Sequence, residues 1–477
     1  MSTNLKIAQT TPTFQLLING KLTPGAASLD VINPATAKRL ATCSRADEKQ
    51  LNAAVSAAKA AFPGWSATAI ESRRKILMEV AAALAARLDE FARLLTQEQG
   101  KPLAHAAAEI GGSVAIIQAF AAMDLPVTVL RETERERIVR RHVPLGVVAA
   151  ITPWNFPMIL FMIKFAPALL AGNTLVAKPA PTTPLTTLLF GELCADLIPP
   201  GVFNVIVDQN DLGEALTRHP DVAKVSFTGS TATGRKVMAS AAATIKRVTL
   251  ELGGNDAAIV LDDVNVEETA AKILQGAMTN SGQICFAIKR VYVPESLYEA
   301  MCAELARLAD QLVVGDGLDA ATQMGPLQNK VQFDKVREFL ADARANGRVI
   351  AGGKVLEREG YFIAPTIVRD IADDARLVRE EQFGPVLPVL KYTTVDDAIA
   401  RTNSSEYGLG GTVWGSDTRR AFEVAERIAS GTVWVNKHLD LPPDIPFGGA
   451  KQSGLGCEMG QEGLEEFTQS KIISLQM

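Results

Sequence analysis

GVVAAITPWNFPMILFMIKFAPALLAGNTLVAK, residues 146–178, is the stretch that decides the fold. GVVAAI (146–151) is a short apolar run of strand length. Pro153 and Pro157 stiffen the turn that follows it. Met158 to Leu170 is long enough and continuously apolar enough for a buried helix, and NTLVAK (173–178) is again a strand. The alternation continues toward the C-terminus. LTTLLFGELCADL (185–197), DLGEALTRH (211–219) and ATGRKVMASAAA (232–243) read as helices. VFNVIV (202–207), KVSFTG (224–229) and VTLEL (248–252) read as strands. Repeated strand–helix units imply right-handed crossovers and a parallel, doubly wound α/β sheet, which binds ligands beyond the carboxyl ends of its strands.

Other patterns flank this core. Residues 50–123 are Ala-rich with apolar residues three and four apart, which predicts helices, and Gly100-Lys101-Pro102 is a stop signal. Residues 127–142 (VTVLRETERERIVRRH) alternate and are rich in Arg and Glu, as a solvent-rimmed hairpin would be. A second α/β region begins near Gly254, with strands expected in AAIVLDD, RVYVP, GYFIAPTIV and VLPVLKY and helices around 270–278 and 296–312. FTQSKIISL near the end reads as another strand, and it and the hairpin are candidate edges for pairing with a second subunit. No Pro/Gly/Ser-rich linker separates the two regions, so they are expected to pack tightly.

The 477 residues, 47% hydrophobic and 21% charged, suit a globular protein with a large core. The net charge of −5 is spread without a basic block, which argues against nucleic acid as a partner. The amino-terminal MSTNLKIAQTTPTF has no apolar run after a basic start, so no secretory leader is expected. The longest apolar stretch, Met158 to Ala177, contains Lys164, Pro167 and Asn173 and is read as core, with no membrane anchor. Five scattered cysteines without a CxxC argue against disulfides and a metal site, and for the reducing cytoplasm.

Candidate chemistry begins with Cys285 in NSGQICFA. The preceding Gly-Gln suggests a turn into a helix, whose N-terminus would lower the thiol pKa. On its own this thiol is open to two readings, a buried small hydrophobe or a nucleophile. Glu251 ends a strand before Gly253-Gly254, placed to activate a thiol or water, or else an ordinary strand-end carboxylate. Asn155, in ITPWNFP, offers an amide to a developing oxyanion or simply makes a turn. FTGSTATG (227–234) lacks the GxGxxG spacing, yet a strand–Gly-Ser–helix unit offers N–H groups to a pyrophosphate. Lys178 at a strand end and Glu381 and Phe383 in EEQFGPV are compatible with ribose or ring contacts, or with solvated loop positions.

The conjunction goes further than any single site. TPWNFP, KPA, FTGSTATG, ELGG, GQICFA, EEQFGPV, PFGGAKQSG and FTQSK stand in the order and spacing of the aldehyde dehydrogenase superfamily, and the chain resembles it from Val31-Ile32-Asn33-Pro34 to the C-terminus. The resemblance implies a Rossmann-like cofactor domain (1–122 and 144–253), an α/β catalytic domain (254–459), and a bridging β element (123–143 with 460–477) that makes a homodimer or homotetramer. It implies that Cys285 attacks the aldehyde, that the Asn155 amide and Cys285 N–H hold the oxyanion, and that hydride passes to NAD, with NADP possible. Glu251 would then activate the water that hydrolyses the thioester, with Lys164 and Glu458 behind it. Thr152, Trp154, Lys178, Pro181, Gly213, Gly229, Ser230, Gly234, Leu252, Glu381 and Phe383 match the cofactor site.

Two positions depart from the family pattern. Pro181 stands where many members carry an acid for the adenosine ribose, and Cys457 where an Arg is common. By motif position the substrate channel involves Phe156, Leu160, Ile163, Phe286, Leu439, Leu441 and Phe447, all apolar, which points to a hydrophobic or aromatic aldehyde. The loop DLPPD (440–444) favours instead a cationic amino-aldehyde, and a semialdehyde is a further alternative. A CoA-acylating enzyme would usually lack the base at Glu251; a thiol hydrolase would need a partner His that none of the four histidines supplies; and a non-catalytic scaffold would tolerate loss of Cys285.

Overall fold

A computed structural model describes residues 14–477, so the reading of the first 13 residues as free of a leader lies outside the described part. The stretch 146–178 forms the strand Val147–Ile151, the helix Ile159–Leu170 and the strand Thr174–Lys178. Five parallel strands fill the middle of the first sheet in the spatial order Phe203–Val205, Thr174–Lys178, Val147–Ile151, Val222–Thr228, Arg247–Glu251. The chain thus starts in the centre, builds outward to one side, then crosses back and builds to the other. The reversal falls between Val147–Ile151 and Val222–Thr228, where a crevice opens beyond the strand ends. Short antiparallel strands finish the edges, Leu16–Ile18 and Lys21–Thr23 on one side and Gly454–Leu455 on the other. The last of these sets Gly454 opposite Glu251, which carries the segment bearing Glu458 under the strand end.

The Ala-rich region forms four helices, Glu48–Ala67, Ile70–Ala86, Leu88–Gln99 and Leu103–Ala122. Asp47 caps the first, its carboxylate accepting from Gln50 N at 2.8 Å. Gly100 ends the third at φ +99°, the left-handed position that favours glycine. Leu103–Ala122 is, among the described residues, the one helix long and apolar enough by length and composition to cross a membrane. Here Ile110, Ile117 and Phe120 are buried in the core, and the helix packs on its neighbours Ile70–Ala86, Leu88–Gln99 and Ile159–Leu170. Phe161, Phe165, Phe190 and Phe203 make an aromatic knot with ring centroids 5.1–6.0 Å apart, clamping the helix Ile159–Leu170 onto the sheet.

The second sheet has seven strands, in the order Arg348–Ala351, Thr366–Arg369, Val386–Tyr392, Ile288–Pro294, Asp256–Val260, Gly410–Trp414, Thr432–Val435. All pairings but the first are parallel. The hairpin Thr128–Glu132/Glu136–Pro144 and the strand Thr468–Gln476 form a third, antiparallel sheet, with Thr468 opposite Pro144 and Gln476 opposite Glu136.

Two expectations are corrected. GYFIAPTIV is strand only over Thr366–Arg369, because Gly360 sits at φ +92° and Pro365 has no N–H for a ladder. Cys285 does not open a helix. Asn280, Ser281 and Gly282 take φ of +52°, +57° and +72°, and the apolar residues after the thiol enter the strand Ile288–Pro294.

Candidate active site

A cleft of about 910 Å³ lies at the reversal point of the first sheet. Of the expected cofactor residues, Thr152, Trp154, Lys178, Gly213, Gly229 and Ser230 line it, joined by Arg218, Thr233 and Lys236. Ser230 caps the helix Thr231–Ala241 by accepting from Thr233 N at 3.3 Å, so the positive end of that helix faces the cleft beside Gly229. A Cβ on Gly229 would stand 2.6 Å from the Phe227 ring, so the close backbone turn needs glycine here. Lys178 is not solvated: its ammonium donates to Asp208 Oδ1 at 2.6 Å, and Asp208 Oδ2 accepts from Leu212 N at 2.9 Å. That donor set, a helix N-terminus with three cations and small residues, fits a nucleotide pyrophosphate.

The other expected cofactor residues stand outside the lining. Pro181 lies next to Ala180, which does line the cleft. Leu252 and Gly234 pack on each other beneath the helix Thr231–Ala241; a Cβ on Gly234 would come within 2.4 Å of the leucine. Glu381 accepts from Gly254 N at 3.0 Å and has Lys289 Nζ at 3.8 Å. Phe383 sets its ring edge-on to Trp154, centroids 5.3 Å apart, so this loop closes the inner end of the cleft.

Beyond that end the groups become buried. Cys285 is 7% exposed and Glu251 3%. They face each other closely enough for each to raise or lower the other's proton affinity, short of a well-aligned hydrogen bond. Burial first, and then the charge of Glu458, push the Glu251 carboxyl up to about 8. Burial and then Glu251 push the Cys285 thiol well above its ordinary value, the reverse of the expected helix-end effect. The resting pair is therefore thiol and carboxylic acid near neutrality, and ionising the thiol needs a carboxylate to take its proton.

Asn155 is 3% exposed, in the turn after Val147–Ile151. Its side-chain nitrogen gives one N–H to Gln283 O at 2.9 Å, two residues before the thiol, and keeps a second N–H uncommitted. The backbone N–H of Cys285 donates to no group among the described residues. Lys289, 1% exposed, holds the loop from below, donating to Ile284 O at 2.8 Å and Cys285 O at 2.5 Å. On the far side of Glu251, Lys164 is fully buried, bonds Thr228 Oγ1 at 2.7 Å and pairs with Glu458. Thr228 is Glu251's neighbour in the parallel ladder, so the pair sits against the carboxylate's strand. Cys457 is half-buried beside Glu458.

Of the apolar candidates, Phe286 follows the thiol directly in the chain. Phe286 stacks edge-on with Phe447 at 5.3 Å and lies 6.0 Å from Trp434. Leu160 and Ile163 are one helical turn apart on Ile159–Leu170, and Phe156 and Leu441 pack on the same core cluster as Cys285. Leu439 takes φ +60° in the loop after Thr432–Val435. His438, beside it, donates from Nε2 to Phe286 O at 2.6 Å, and burial holds its imidazole down to about 3, hence neutral.

The profile of the aldehyde dehydrogenase family matches residues 22–473. The chain belongs to the aldehyde dehydrogenase family. It is 38% identical over 469 residues to the succinate-semialdehyde dehydrogenase [NADP(+)] of Escherichia coli (strain K12), covering 97% of each chain. Its fold is similar to the NAD+ complex of an aldehyde dehydrogenase from Bacillus cereus, with a TM-score of 0.95, 35% identity and coverage of 97% and 96%. It is likewise similar to the Staphylococcus aureus betaine aldehyde dehydrogenase in complex with NAD+, with a TM-score of 0.94, 33% identity and coverage of 97% and 94%.

As an aldehyde dehydrogenase the chain is an oxidoreductase of the α/β fold expected from its motifs. Several groups around its site were not read from sequence: Asp208 on Lys178, Lys289 under the thiol loop, and Trp434 and His438 in the aromatic wall. Asp208 and His438 act through partners distant in the chain, whereas Lys289 bonds carbonyls four and five residues before it.

Proposed function

We propose that this chain oxidises an aldehyde to the carboxylic acid with NAD, NADP being the possible alternative, through a covalent intermediate on Cys285. The observation that carries this is the convergence of a buried thiol, a buried carboxyl displaced to about 8 and two uncommitted N–H donors at the inner end of a nucleotide-sized cleft. Glu251 in its carboxylate form, populated as pH rises toward about 8, takes the thiol proton as Cys285 Sγ bonds the carbonyl carbon. The Asn155 amide and the Cys285 N–H stabilise the resulting oxyanion, a contribution of about 3 kcal/mol for one such donor. Loss of the former aldehyde hydrogen as hydride, which a nicotinamide bound in the cleft would accept, leaves the acyl group on Cys285 as a thioester. Once that proton has passed to solvent, the Glu251 carboxylate takes a proton from water as the water attacks the Cys285 thioester; the acyl C–S bond breaks, the free acid leaves and Glu251 returns the proton to Cys285. Lys164 and Glu458 tune Glu251 with opposed charges.

The cofactor unit is assigned to 1–122 and 144–253, the catalytic unit to 254–459, and the bridging unit to 123–143 with 460–477. The bridging sheet exposes Val129, Ile473 and Leu475 on one face, each about half accessible, an apolar face suited to a second copy in a dimer or tetramer. Five free cysteines suit the reducing cytoplasm.

For the substrate, the rings of Phe286, Phe447 and Trp434 beside the thiol favour a hydrophobic or aromatic aldehyde. The cationic alternative is weakened because Asp440 already pairs with Lys437 at 2.6 Å. Measuring kcat/KM for benzaldehyde, hexanal, succinate semialdehyde and betaine aldehyde tests this. Preference for the first two supports the apolar channel; clear preference for succinate semialdehyde refutes it.

A further inference from the structure

Lys101 and Glu109 form an ion pair whose side chains are 0% and 1% exposed, between the helices Leu88–Gln99 and Leu103–Ala122 and the turn 152–158. Replacing such a pair by apolar groups is often neutral or stabilising, so stability alone does not account for it. Its contacts are informative because nearly all converge on one turn. Lys101 Nζ donates to the Asn155 carbonyl at 2.9 Å and lies 3.6 Å from the centre of the Phe156 ring. Glu109 Oε1 accepts from Met158 N at 2.9 Å and Ile159 N at 3.3 Å, the N–H groups that open the helix Ile159–Leu170. Asn155, Phe156, Met158 and Ile159 are thus gripped by two opposite charges from outside the site.

The same turn is tied to the thiol loop. Asn280 Nδ2 also donates to the Asn155 carbonyl, at 3.1 Å, and to Gln283 O at 3.3 Å, and Gln283 O is the acceptor of the Asn155 amide. Asn155 is therefore fixed at both ends, its backbone carbonyl by Lys101 and Asn280, its amide by Gln283. The amide has a single free N–H, and its direction depends on this frame. A small rotation of the turn would swing that N–H away from the developing oxyanion without touching any reacting group.

We propose that Lys101 and Glu109 are positioning residues of the oxyanion site, holding the Asn155 amide and the Phe156 ring in their productive orientation. This rests on the reading of Asn155 as oxyanion donor. A lysine suits the task because its ammonium can meet a carbonyl, a carboxylate and a ring face at once, which an uncharged isostere cannot.

The test is a double-mutant cycle on the full-length enzyme, with kcat and KM for aldehyde, and the Kd of NADH by fluorescence. Asn155→Ala alone is expected to lose about 10²–10³ in kcat. If it keeps full activity, the oxyanion reading itself fails, whatever Lys101 does. Lys101→Met is expected to lose about 10²-fold in kcat, as a misplacement near 1 Å does, with the NADH Kd unchanged. The double variant should fall no further than Asn155→Ala, within about threefold, because both changes remove one interaction. Losses that multiply in the double variant, or Lys101→Met turning over within about twofold of wild type, overturn the proposal. Glu109→Gln keeps an oxygen for the two helix N–H groups and removes the charge. It provides the same cycle if Lys101→Met fails to fold, with a smaller loss, about tenfold, and the same non-additivity expected. A Glu109→Gln protein equal to wild type, or additive with Asn155→Ala, likewise overturns it.

Discussion

The cofactor cleft and the chamber around Cys285 adjoin, yet they are built from different materials. The cleft opens where the first sheet reverses its winding, and its polar groups are a helix end, a glycine turn and the exposed cations Arg218 and Lys236, beside the buried Lys178. The chamber lies where the carboxyl end of Arg247–Glu251 meets the loop entering Ile288–Pro294, and its polar groups are buried charges with displaced proton affinities. An anionic ligand that must come and go suits partly hydrated donors, which exchange water for phosphate at little cost. Chemistry on a carbonyl suits the opposite, a dry site where a fixed donor or base acts at full strength.

This contrast is breakable by mutation. Cys285→Ala should abolish NADH formation, a loss of at least about 10⁴-fold, while leaving NADH binding intact; full residual dehydrogenase activity would refute the chamber's role. Lys178→Met belongs to the cleft and should do the reverse, weakening the nucleotide Kd about tenfold, near 1.4 kcal/mol, with a lesser effect on kcat. If Lys178→Met instead lowers kcat at saturating nucleotide, the two regions are not separable. The smallest effect is on stability. Glu251 carries a folded-state value of about 8 against an ordinary 4.5, so its protonated form contributes stability that is full below about 4.5 and lost as pH rises through about 8. Glu251→Gln should therefore gain Tm over wild type at pH 9 relative to pH 6, and turnover of the wild type should rise with pH toward about 8. An unchanged Tm difference between the two pH values contradicts the buried-acid account.

The two regions also differ in how much of them could be read from sequence. The cleft follows from order along the chain: strand, helix and turn alternate from 146 to 252, and Lys178, Gly229 and Ser230 fall at strand ends, where a parallel sheet puts its ligands. Cys285, Glu251 and Asn155 stand out as candidates by type and company, but their environment does not. The thiol was expected at a helix start because GQICFA looks like a turn entering an apolar helix; three consecutive positive φ angles and a following strand decide otherwise. Lys101 passed as part of a helix stop, since nothing local says that its ammonium reaches Asn155, 54 positions away. Lys289 and Asp208 sit in or just after strands, where a charged residue reads as solvated until its partner appears, Glu381 for Lys289 and Lys178 for Asp208. Charges buried by long-range pairing are the part of a site that local pattern does not encode.

The central claim is that a Cys285 thioester forms and that Glu251 is needed to hydrolyse it. Glu251→Gln mixed with aldehyde and NAD, quenched, digested and weighed by mass spectrometry tests it directly. The account predicts one burst of NADH per active site, turnover slowed by about 10²–10⁴, and the acyl group on the peptide carrying Cys285. Steady turnover at the wild-type rate with no acyl mass on that peptide would contradict it.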